Sequence, residues 1–411
     1  MRVDARRLGH ECDDSFQNEF LDALKAELGV ALARIFSGHA LPTAVLVPAR
    51  QLPAEWNFGP ILQAFCLQPR SRLGSSLNAP DVSVVISTFN RASVLPRALG
   101  ALMAQKGTVR YEVIAVDNGS TDNTAAIIQS MAAAAPDVHY IHEPQRGLPY
   151  GRNAGVRAAR SDIIAFTDDD VEVPPNWVET IVRLFATHPD VDMIGGRVKP
   201  TWPASVPDWL THLQLGPFAL GERGDTPFRI GASNAAPCLV GANFAFRRRV
   251  FDRVGLFDPA YTKSQDREIQ LRLWRAGGVG LYAPEMAISV DVPPERLTKK
   301  YFRYWYRTYG VYHSRMRLLD ALDRDGGLTD PPARRIFGVP GFIYRSFIED
   351  TFKWLSAAAR FDRTGAFYHE NRWRYLACYI RERLREGRRR PAVPRAPASS
   401  VAGPSNSPGY P

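Results

Sequence analysis

The chain has 411 residues, 45% of them hydrophobic and 23% charged, which is the composition of a globular protein rather than a disordered or membrane-spanning one. This length exceeds a single ordinary core, so we expect one large domain with additions. The formal net charge of +10 favours an anionic partner, namely nucleic acid, an anionic membrane face or a phosphate-bearing substrate. A solvated arginine-rich surface would explain the charge equally well.

The cysteines and the N-terminus narrow the cellular context. Four cysteines are scattered along the chain without the paired spacing of a metal site, which favours a reducing compartment over a disulfide framework. No apolar segment follows the first residues, and no uncharged apolar run is long enough to cross a bilayer. The sequence therefore predicts a cytoplasmic protein with neither a signal peptide nor a membrane span.

Changes in composition divide the chain into four predicted parts. They are an N-terminal extension at 1–78 with helix-like spacing over 16–36, an α/β domain at 79–298, a helical region at 299–390 and a disordered tail at 391–411. In the α/β domain the predicted strands are 81–87, 111–116, 138–142 and 161–166. The predicted helices start with Asn90 as a cap, at Asp122 and at Gly151. This alternation predicts an α/β fold with a largely parallel sheet.

Acidic residues follow two predicted strands, at the edge where ligands bind in open α/β sheets. Asp117 follows the second strand, and Asp168, Asp169 and Asp170 follow the fourth. Adjacent carboxylates repel one another unless a cation neutralises them, and oxygen ligands at a strand end suit Mg²⁺ or Mn²⁺ with substrate phosphates. Asp168 and Asp170 project to the same side of an extended segment, so we predict that they share the metal. A solvated acidic turn that caps the next helix is the alternative.

Asp266 and Glu268 open a predicted helix that ends at the glycine pair 277–278. Carboxylates in a first helical turn stabilise the helix dipole, so simple capping would explain them. A carboxylate beside a reacting centre also acts as a general base that takes a proton from an attacking hydroxyl.

Arg152 begins the predicted third helix, directly after a loop rich in proline and glycine. Backbone N–H groups at a helix start bind anions, and the guanidinium adds charge-assisted donors. The segment therefore predicts a contact with a nucleotide or a phosphate, although an ordinary surface arginine fits it equally well.

Seven short segments follow one another in a fixed order along the α/β domain. They are Val84-Val-Ile-Ser-Thr-Phe-Asn-Arg91, Val116-Asp-Asn-Gly-Ser-Thr-Asp122, Arg152-Asn-Ala-Gly155, Phe166-Thr-Asp-Asp-Asp170, Gly241-Ala-Asn-Phe-Ala-Phe-Arg247, Val254-Gly-Leu-Phe-Asp258 and Asp266-Arg-Glu-Ile269. Each is weak alone, but together their order and spacing resemble the family-2 glycosyltransferases over residues 82–292.

The resemblance implies a GT-A fold, which is a Rossmann-like α/β domain with a mixed, largely parallel sheet. It implies inverting transfer from a nucleoside-diphosphate sugar, with a lean towards uridine, to a hydroxyl of a glycan or a lipid-linked acceptor. Donor contacts would come from Thr88, Asn90, Arg91, Asp117, Arg152, Asp168 and Asp169. Mn²⁺ or Mg²⁺ would be bound by Asp168 and Asp170, with Asp266 as catalytic base. Sugar or acceptor contacts would come from Gly241, Ala242, Asn243 and Glu268.

Two positions depart from the family pattern. Gln265 precedes Asp266 where the family often has glutamate, so the base is kept while its acidic neighbour is lost. Asp291 stands before a Val-Pro-Pro segment where many members carry histidine. Because a carboxylate also binds a hard metal, this change leaves the third metal ligand open.

The helical region is rich in aromatic residues and arginines. Its predicted helices are 301–319 and 343–359, and residues 372–390 add further arginines. Basic amphipathic helices lie in membrane interfaces and basic clusters favour anionic lipids, so we predict peripheral contact with the inner face of a membrane. A helical subdomain packed on the α/β core is the alternative, and it explains the pattern at least as well.

Other functions compete with glycosyl transfer. A nucleotidyltransferase would use the aspartates but leave Asp266 idle, and a dehydrogenase would need a glycine-rich turn that this chain lacks. A degenerate transferase that binds lipid or nucleic acid would account for the basic tail. Such a module need not keep Asp117, Asp168, Asp170 and Asp266, so we expect an enzyme without a nucleic-acid partner.

Overall fold

A computed structural model describes residues 79–323, 325–329 and 334–389. The extension predicted for 1–78, with its helix-like stretch, and the tail predicted for 391–411 lie outside these residues. The strands are β1 (Val82–Thr88), β2 (Tyr111–Asp117), β3 (Val138–His142), β4 (Ile163–Asp168), β5 (Val171–Glu172), β6 (Met193–Thr201), β7 (Phe228–Ile230), β8 (Asn243–Arg247), β9 (Gly280–Asp291), β10 (Arg335–Ile336) and β11 (Val339–Pro340). The helices are α1 (Leu95–Met103), α2 (Thr124–Ala134), α3 (Leu148–Ala158), α4 (Trp177–Thr187), α5 (Arg249–Val254), α6 (Gln265–Arg275), α7 (Lys299–Arg315), α8 (Leu318–Ala321), α9 (Gly341–Ala359) and α10 (Arg363–Arg389).

In the described part of the chain, β1 to β9 form one sheet in the order β3-β2-β1-β4-β8-β6-β9-β5, with β7 paired to β9. The first four strands of this order are parallel, β8 runs antiparallel between β4 and β6, and β6 is parallel to β9. Apolar residues alternate between the two faces, so Val84 and Ile86 pack into one core and Val85 into another. The predicted mixed, largely parallel α/β sheet with flanking helices is confirmed.

The first helix begins at Leu95, so the prediction that Asn90 caps it is wrong. Asn90 has a φ of 52°, and its Oδ1 accepts a hydrogen bond from the Thr121 N–H at 2.8 Å. Asparagine tolerates this left-handed conformation, which places it in the turn after β1 instead. Val94 occupies the cap position without a side-chain hydrogen bond, and Pro96 starts the first turn of the helix.

The third helix also begins earlier than predicted, at Leu148 instead of Gly151. Pro149 lies in its first turn, where the fixed φ of proline favours helix and its missing N–H costs nothing. The helix packs closely against β1, because a Cβ at Gly155 would lie 2.2 Å from Val85 Cγ1. A glycine at this position therefore lets α3 approach the sheet.

The C-terminal helices pack on one another and on loops of the α/β part. An apolar cluster joins Phe218, which precedes β7, to Phe302 of α7 and Phe367 of α10. The inner face of α9 packs on α10 through Phe347 and Trp373, whose ring centroids are 5.5 Å apart. No helix in the described residues combines the length and apolar character that a membrane span requires.

Candidate active site

A cavity of about 260 Å³ lies beyond the carboxyl end of β4. The ends of β1, β2 and β4 are neighbours in parallel register, because Thr88 pairs with Asp117 and Ser87 with Asp168. The polar part of the cavity is lined by Arg152, Asp168, Asp170, Gly241, Ala242 and Asp266. The fold thus brings together residues that are up to 114 positions apart in the sequence, from Arg152 to Asp266.

Asp168 ends β4 and Asp170 lies in the turn after it, and both line the cavity. Removal from bulk water raises the pKa of the Asp168 carboxyl; Arg152 opposes this rise, whereas the charges of Asp170 and Asp266 add to it. A cation would relieve this repulsion. The described residues contain no group of three side chains able to hold a metal. The two carboxylates therefore fit a hard cation whose remaining ligands come from substrate phosphates and water.

Asp169 does not line the cavity with its two neighbours. Its Oδ1 lies 3.5 Å from Arg91 Nε, and burial raises its pKa to about 6 while the Thr88 hydroxyl and Arg91 oppose the rise. Arg91 Nη2 also lies 3.8 Å from Asp170 Oδ2. Arg91 thus connects the loop after β1 to the acidic turn.

The backbone of one residue, Gly241, joins the candidate base to the acidic end of β4. The Gly241 N–H donates to Asp266 Oδ2 at 3.3 Å, and the Gly241 carbonyl accepts from Arg152 Nη2 at 2.9 Å. The same nitrogen of Arg152 donates to Asp168 Oδ1 at 3.2 Å. A Cβ at position 241 would lie 2.8 Å from Arg152 Nη1, so this close approach requires glycine. Four groups are therefore held in one hydrogen-bonded line along the cavity.

Arg152 lies in the second turn of α3 and not at its start, so the predicted anion site of free backbone N–H groups does not form around it. Its guanidinium is buried over the rings of Phe166, Phe244 and Phe257, at 5.2 to 5.8 Å from their centroids. Among the described residues its Nη1 has no hydrogen-bond partner. A buried cationic donor without a partner is costly, so this position suits an anionic ligand.

Asp266 lies in the first turn of α6. This helix directly follows Ser264, a left-handed turn residue with φ of 58°. Its Oδ1 accepts from the Arg267 N–H at 2.9 Å, and its Oδ2 accepts from Gly241. The carboxylate therefore has a fixed orientation on the wall of the cavity. A carboxylate held in this way is able to take a proton from a hydroxyl that enters the cavity.

Comparison with known proteins identifies the domain. Residues 83–255 match the sequence model of glycosyl transferase family 2. Over these residues the chain is similar to family-2 glycosyltransferases. The validoxylamine A glucosyltransferase of Streptomyces hygroscopicus is 34% identical over 54% of this chain and 58% of its own length. The glucosyl-dolichyl phosphate glucuronosyltransferase of Haloferax volcanii is 28% identical over 46% of this chain and 59% of its own. The chain thus spans a little over half of each relative.

A solved structure supports the fold of the glycosyltransferase domain. The mannosyltransferase PcManGT from Pyrobaculum calidifontis, in complex with GDP-Man and Mn²⁺, aligns over 80% of this chain and 95% of its own. The TM-score is 0.50 and the identity 19%, a likeness that shows the fold alone. The GT-A fold implied by the sequence is confirmed. The family match ends before Asp266, so the evidence for this residue comes from the geometry of the cavity.

Aromatic residues of α7 also line the cavity, and the sequence analysis missed them. They are Tyr301, Tyr304, Trp305 and Tyr309. Trp305 stacks on Tyr309 at 3.8 Å between ring centroids, while Tyr304 is 60% exposed. Their spacing of three and four residues on one helix face was the available signal. It does not reveal that this face turns towards a strand end more than 130 residues earlier.

The same helix holds the segment that precedes Asp266. Tyr312 shares a hydrogen bond with Thr262 at 2.5 Å, and His313 Nε2 lies 3.5 Å from Ser264 Oγ. His313 Nδ1 in turn contacts the hydroxyl of Tyr375 in α10 at 3.0 Å. The left-handed turn before the candidate base is therefore supported from two C-terminal helices.

Two residues assigned to sugar or acceptor binding have their side chains elsewhere. Asn243 is fully buried, where its Oδ1 accepts from Trp177 Nε1 at 2.8 Å and its Nδ2 donates to the Met286 carbonyl at 2.6 Å. Glu268 is paired with Arg272 at 2.7 Å and faces a separate cavity of about 250 Å³. Asn243 supports the sheet and Glu268 supports its own helix, so neither lines the cavity in this structure.

Three of the residues that the resemblance assigns to donor binding lie at or just after the ends of β1 and β2 and do not line this cavity. They are Thr88, Asn90 and Asp117. Asp117 is buried, and its Oδ1 accepts from the Ser120 N–H at 2.9 Å. The Asn90 N–H donates to Ser120 Oγ at 3.0 Å, so the loops after β1 and β2 are joined. Thr88 is also buried beneath this junction. Their contact with a nucleotide stays a prediction.

Asp291, the residue in place of the family's histidine, is engaged in an ion pair. Its Oδ2 accepts from Arg97 Nη2 at 2.8 Å. It does not line the cavity that contains Asp168 and Asp170. Arg296 lies nearer, with its Nη2 3.9 Å from Asp170 Oδ2. In place of a third acidic ligand, this side of the cavity has a cation, which suits a phosphate.

Proposed function

We propose that this protein is an inverting glycosyltransferase that transfers a sugar from a nucleoside-diphosphate sugar to a hydroxyl group of a glycan or a lipid-linked acceptor. The observation that carries the proposal is the hydrogen-bonded line from Asp266 through Gly241 and Arg152 to Asp168. It places a candidate base, a pair of carboxylates and a buried arginine, whose Nη1 has no hydrogen-bond partner among the described residues, around one cavity. These are the groups that transfer from a diphosphate leaving group requires.

The donor diphosphate would lie between the carboxylates and the cationic side chains. Asp168 and Asp170 would hold Mn²⁺ or Mg²⁺, which stabilises the negative charge that develops on a departing diphosphate. Arg152 and Arg296 would contact the phosphate oxygens directly. PcManGT, which shares this fold, was solved with GDP-Man and Mn²⁺, a nucleoside-diphosphate sugar and a divalent metal. Uridine is the favoured base on the sequence resemblance, with Thr88 and the loops after β1 and β2 around it.

Asp266 would act as the general base. The acceptor oxygen forms the new bond to the anomeric carbon while the bond from that carbon to the donor phosphate breaks. The acceptor proton passes to Asp266, and the nucleoside diphosphate leaves with the bonding electron pair. Because attack comes from the side opposite the leaving group, the anomeric centre is inverted without a covalent enzyme intermediate.

The aromatic wall of α7 would bind the acceptor. Aromatic rings with phenolic hydroxyls present both an apolar face and a polar group, which matches the alternating C–H and hydroxyl groups of a sugar. Tyr304 and Trp305 line the same cavity as Asp170 and Asp266. An acceptor on this wall would therefore have a hydroxyl within reach of the base. This proposal keeps the predicted cytoplasmic location of the enzyme.

Thermal-shift measurements against a panel of nucleoside diphosphates and nucleotide sugars, with and without Mn²⁺, test the donor site. We expect Tm to rise with one nucleotide family and the rise to depend on the metal, because ligands that bind only the folded state stabilise it. Asp170→Ala should abolish the part of the rise that needs Mn²⁺.

Asp162→Ala is the matched control, because Asp162 is a fully exposed aspartate outside the cavity and should leave the metal-dependent rise intact. The absence of any shift with every nucleotide would contradict the proposal and favour a degenerate binding module. An unchanged metal response in Asp170→Ala would remove that residue from the metal site.

A further inference from the structure

Exposed apolar side chains are concentrated in one short segment of the described chain. Of its ten large hydrophobic residues with high exposure, seven lie between Ile336 and Phe361. These seven are Ile336, Phe337, Phe342, Ile348, Phe352, Leu355 and Phe361. Single exposed apolar residues are normal on protein surfaces, but a contiguous group marks an interaction site.

Three of the seven form a stripe on α9. Ile348, Phe352 and Leu355 are separated by four and three residues, so they lie on one face of the helix. The opposite face is buried, with Ile343 fully enclosed and Trp354 packed 5.7 Å from the Trp373 ring of α10. We call the stripe the α9 outer face. The helix therefore has one apolar face packed on α10 and a second apolar face directed at solvent.

A phenylalanine protrudes at each end of this helix. Phe337 lies in the turn between β10 and β11 and is 82% exposed, and Phe361 follows α9 and is 89% exposed. Both have left-handed backbone conformations, with φ of 49° and 58°. A bulky side chain in this conformation is strained, and its exposure brings no compensating burial. Backbone strain and solvent exposure both disfavour phenylalanine in these two turns. Its presence there points to a role in contact with a partner surface.

The charges around the outer face are mainly positive. Residues 334–363 contain six basic and three acidic side chains. Of the acids, Glu349 is paired with Arg345 at 2.8 Å, and Asp350 is buried against Arg372. The surface that borders the stripe is therefore basic.

The arginine-rich stretch at 372–390 does not provide an equivalent surface. Arg383 is buried and lies 3.1 Å from Asp320, Arg374 is paired with Glu370, and Arg372 is paired with Asp350. Two of these arginines, Arg372 and Arg383, thus stabilise contacts between helices, and Arg374 is paired within α10. Of the two segments predicted to contact a membrane, 343–359 and 372–390, the first, in α9, is therefore the candidate that the structure favours.

We propose that the α9 outer face, with Phe337 and Phe361 at its two ends, docks on an anionic lipid bilayer. A fluid lipid interface offers no shaped pocket. Apolar and aromatic side chains on a helix and on two convex turns insert into it without one. Basic residues beside them favour acidic headgroups. α9 would lie along the membrane surface, since it lacks the apolar character to span it.

Co-sedimentation of the full-length protein with vesicles tests this inference without donor or acceptor, so its result is independent of the proposed activity. We expect binding to vesicles of phosphatidylcholine with phosphatidylglycerol, and weaker binding to phosphatidylcholine alone. Phe337→Asn combined with Phe361→Asn should weaken binding at least about tenfold, because two inserted aromatic groups are lost. Asparagine tolerates left-handed backbone, so Tm should not fall.

Val206→Asn is the matched control, as Val206 is an exposed apolar residue of another surface and should leave vesicle binding unchanged. Three results would overturn the proposal. The first is a wild type that sediments with neither vesicle, and the second is a double variant that binds as tightly as the wild type. The third is a wild-type protein that does not bind vesicles but forms a dimer, which the double variant disrupts. This result would assign the surface to a second copy of the chain.

Discussion

Asp266 and Glu268 lie two residues apart in the same helical turn, but their carboxylates have different surroundings. Asp266 lines the cavity beside Gly241, whereas Glu268 is held by Arg272 outside it. We predict that Asp266→Asn binds the donor normally but loses transfer by about a hundredfold or more, because the amide keeps the hydrogen bond to Gly241 and cannot accept a proton. Donor affinity by thermal shift and release of nucleoside diphosphate measure the two effects separately.

Glu268→Gln serves as the comparison for this variant, since it makes the same chemical change in the same turn. It should retain turnover within a few-fold of the wild type. Near-normal turnover in Asp266→Asn would remove the residue from the role of base. A loss in Glu268→Gln as large as that in Asp266→Asn would show that the turn matters for its fold and not for a proton transfer.

Among single residues, the sequence predicts those whose chemistry comes from the backbone position. Asp168 and Asp170 follow a strand, and alternation along it puts them on one side. Asn243 could not be resolved in this way, because its motif contains both Gly241, which approaches Arg152, and an amide that is buried against Trp177. Which residue of a buried motif lines the cavity and which packs away from it depends on tertiary packing that the local pattern does not contain.

At the scale of single elements, α7 links the C-terminal region to the turn before the base through His313, which contacts Ser264 and Tyr375. Burial, with a contribution from the charge of Arg267, lowers the pKa of His313 to about 3. An unfolded histidine titrates near 6.5, so the unfolded chain binds a proton that the native state does not. Native stability is therefore lost as pH falls from about 6.5 towards 3, by about 2 kcal/mol at pH 5.

Urea unfolding at pH 7 and pH 5 measures this effect. His313→Gln should lose less stability between the two pH values than the wild type does, whatever its stability at pH 7. His142→Gln is the control, because His142 is exposed at the end of β3 and its removal should keep the wild-type pH dependence. Equal losses in wild type and His313→Gln would show that another group causes the acid sensitivity.

Element types were predictable here, while helix starts were not. The strands end where the apolar runs end, because burial on both faces requires apolar residues at every position. The starts of α1 and α3 were misplaced by several residues, since Pro96 and Pro149 mark the first turns and the apparent signals at Asn90 and Gly151 serve other purposes. Proline was the stronger indicator in both cases.

For the whole molecule, the order of motifs predicted the α/β sheet, but not that the C-terminal helices would complete its cavity. That dependence arises from packing between segments far apart in sequence. Phe302 of α7 contacts Trp209 and Phe218 from the loop before β7, at 4.9 and 5.4 Å between ring centroids, and Phe367 of α10 at 6.1 Å. The predicted boundary near residue 298 therefore runs through a shared apolar cluster.

We predict that the α/β part and the C-terminal helices unfold in one transition. Phe302→Ala should lower the free energy of unfolding by about 3–5 kcal/mol, because it removes a fully buried ring shared by both parts. Phe352→Ala, on the exposed α9 outer face, should change it by less than about 0.5 kcal/mol. Far-UV circular dichroism and tryptophan fluorescence should give coincident denaturation curves in both variants. If Phe302→Ala instead separates an early helical transition from a later one that donor still stabilises, residues 299–389 form a domain of their own.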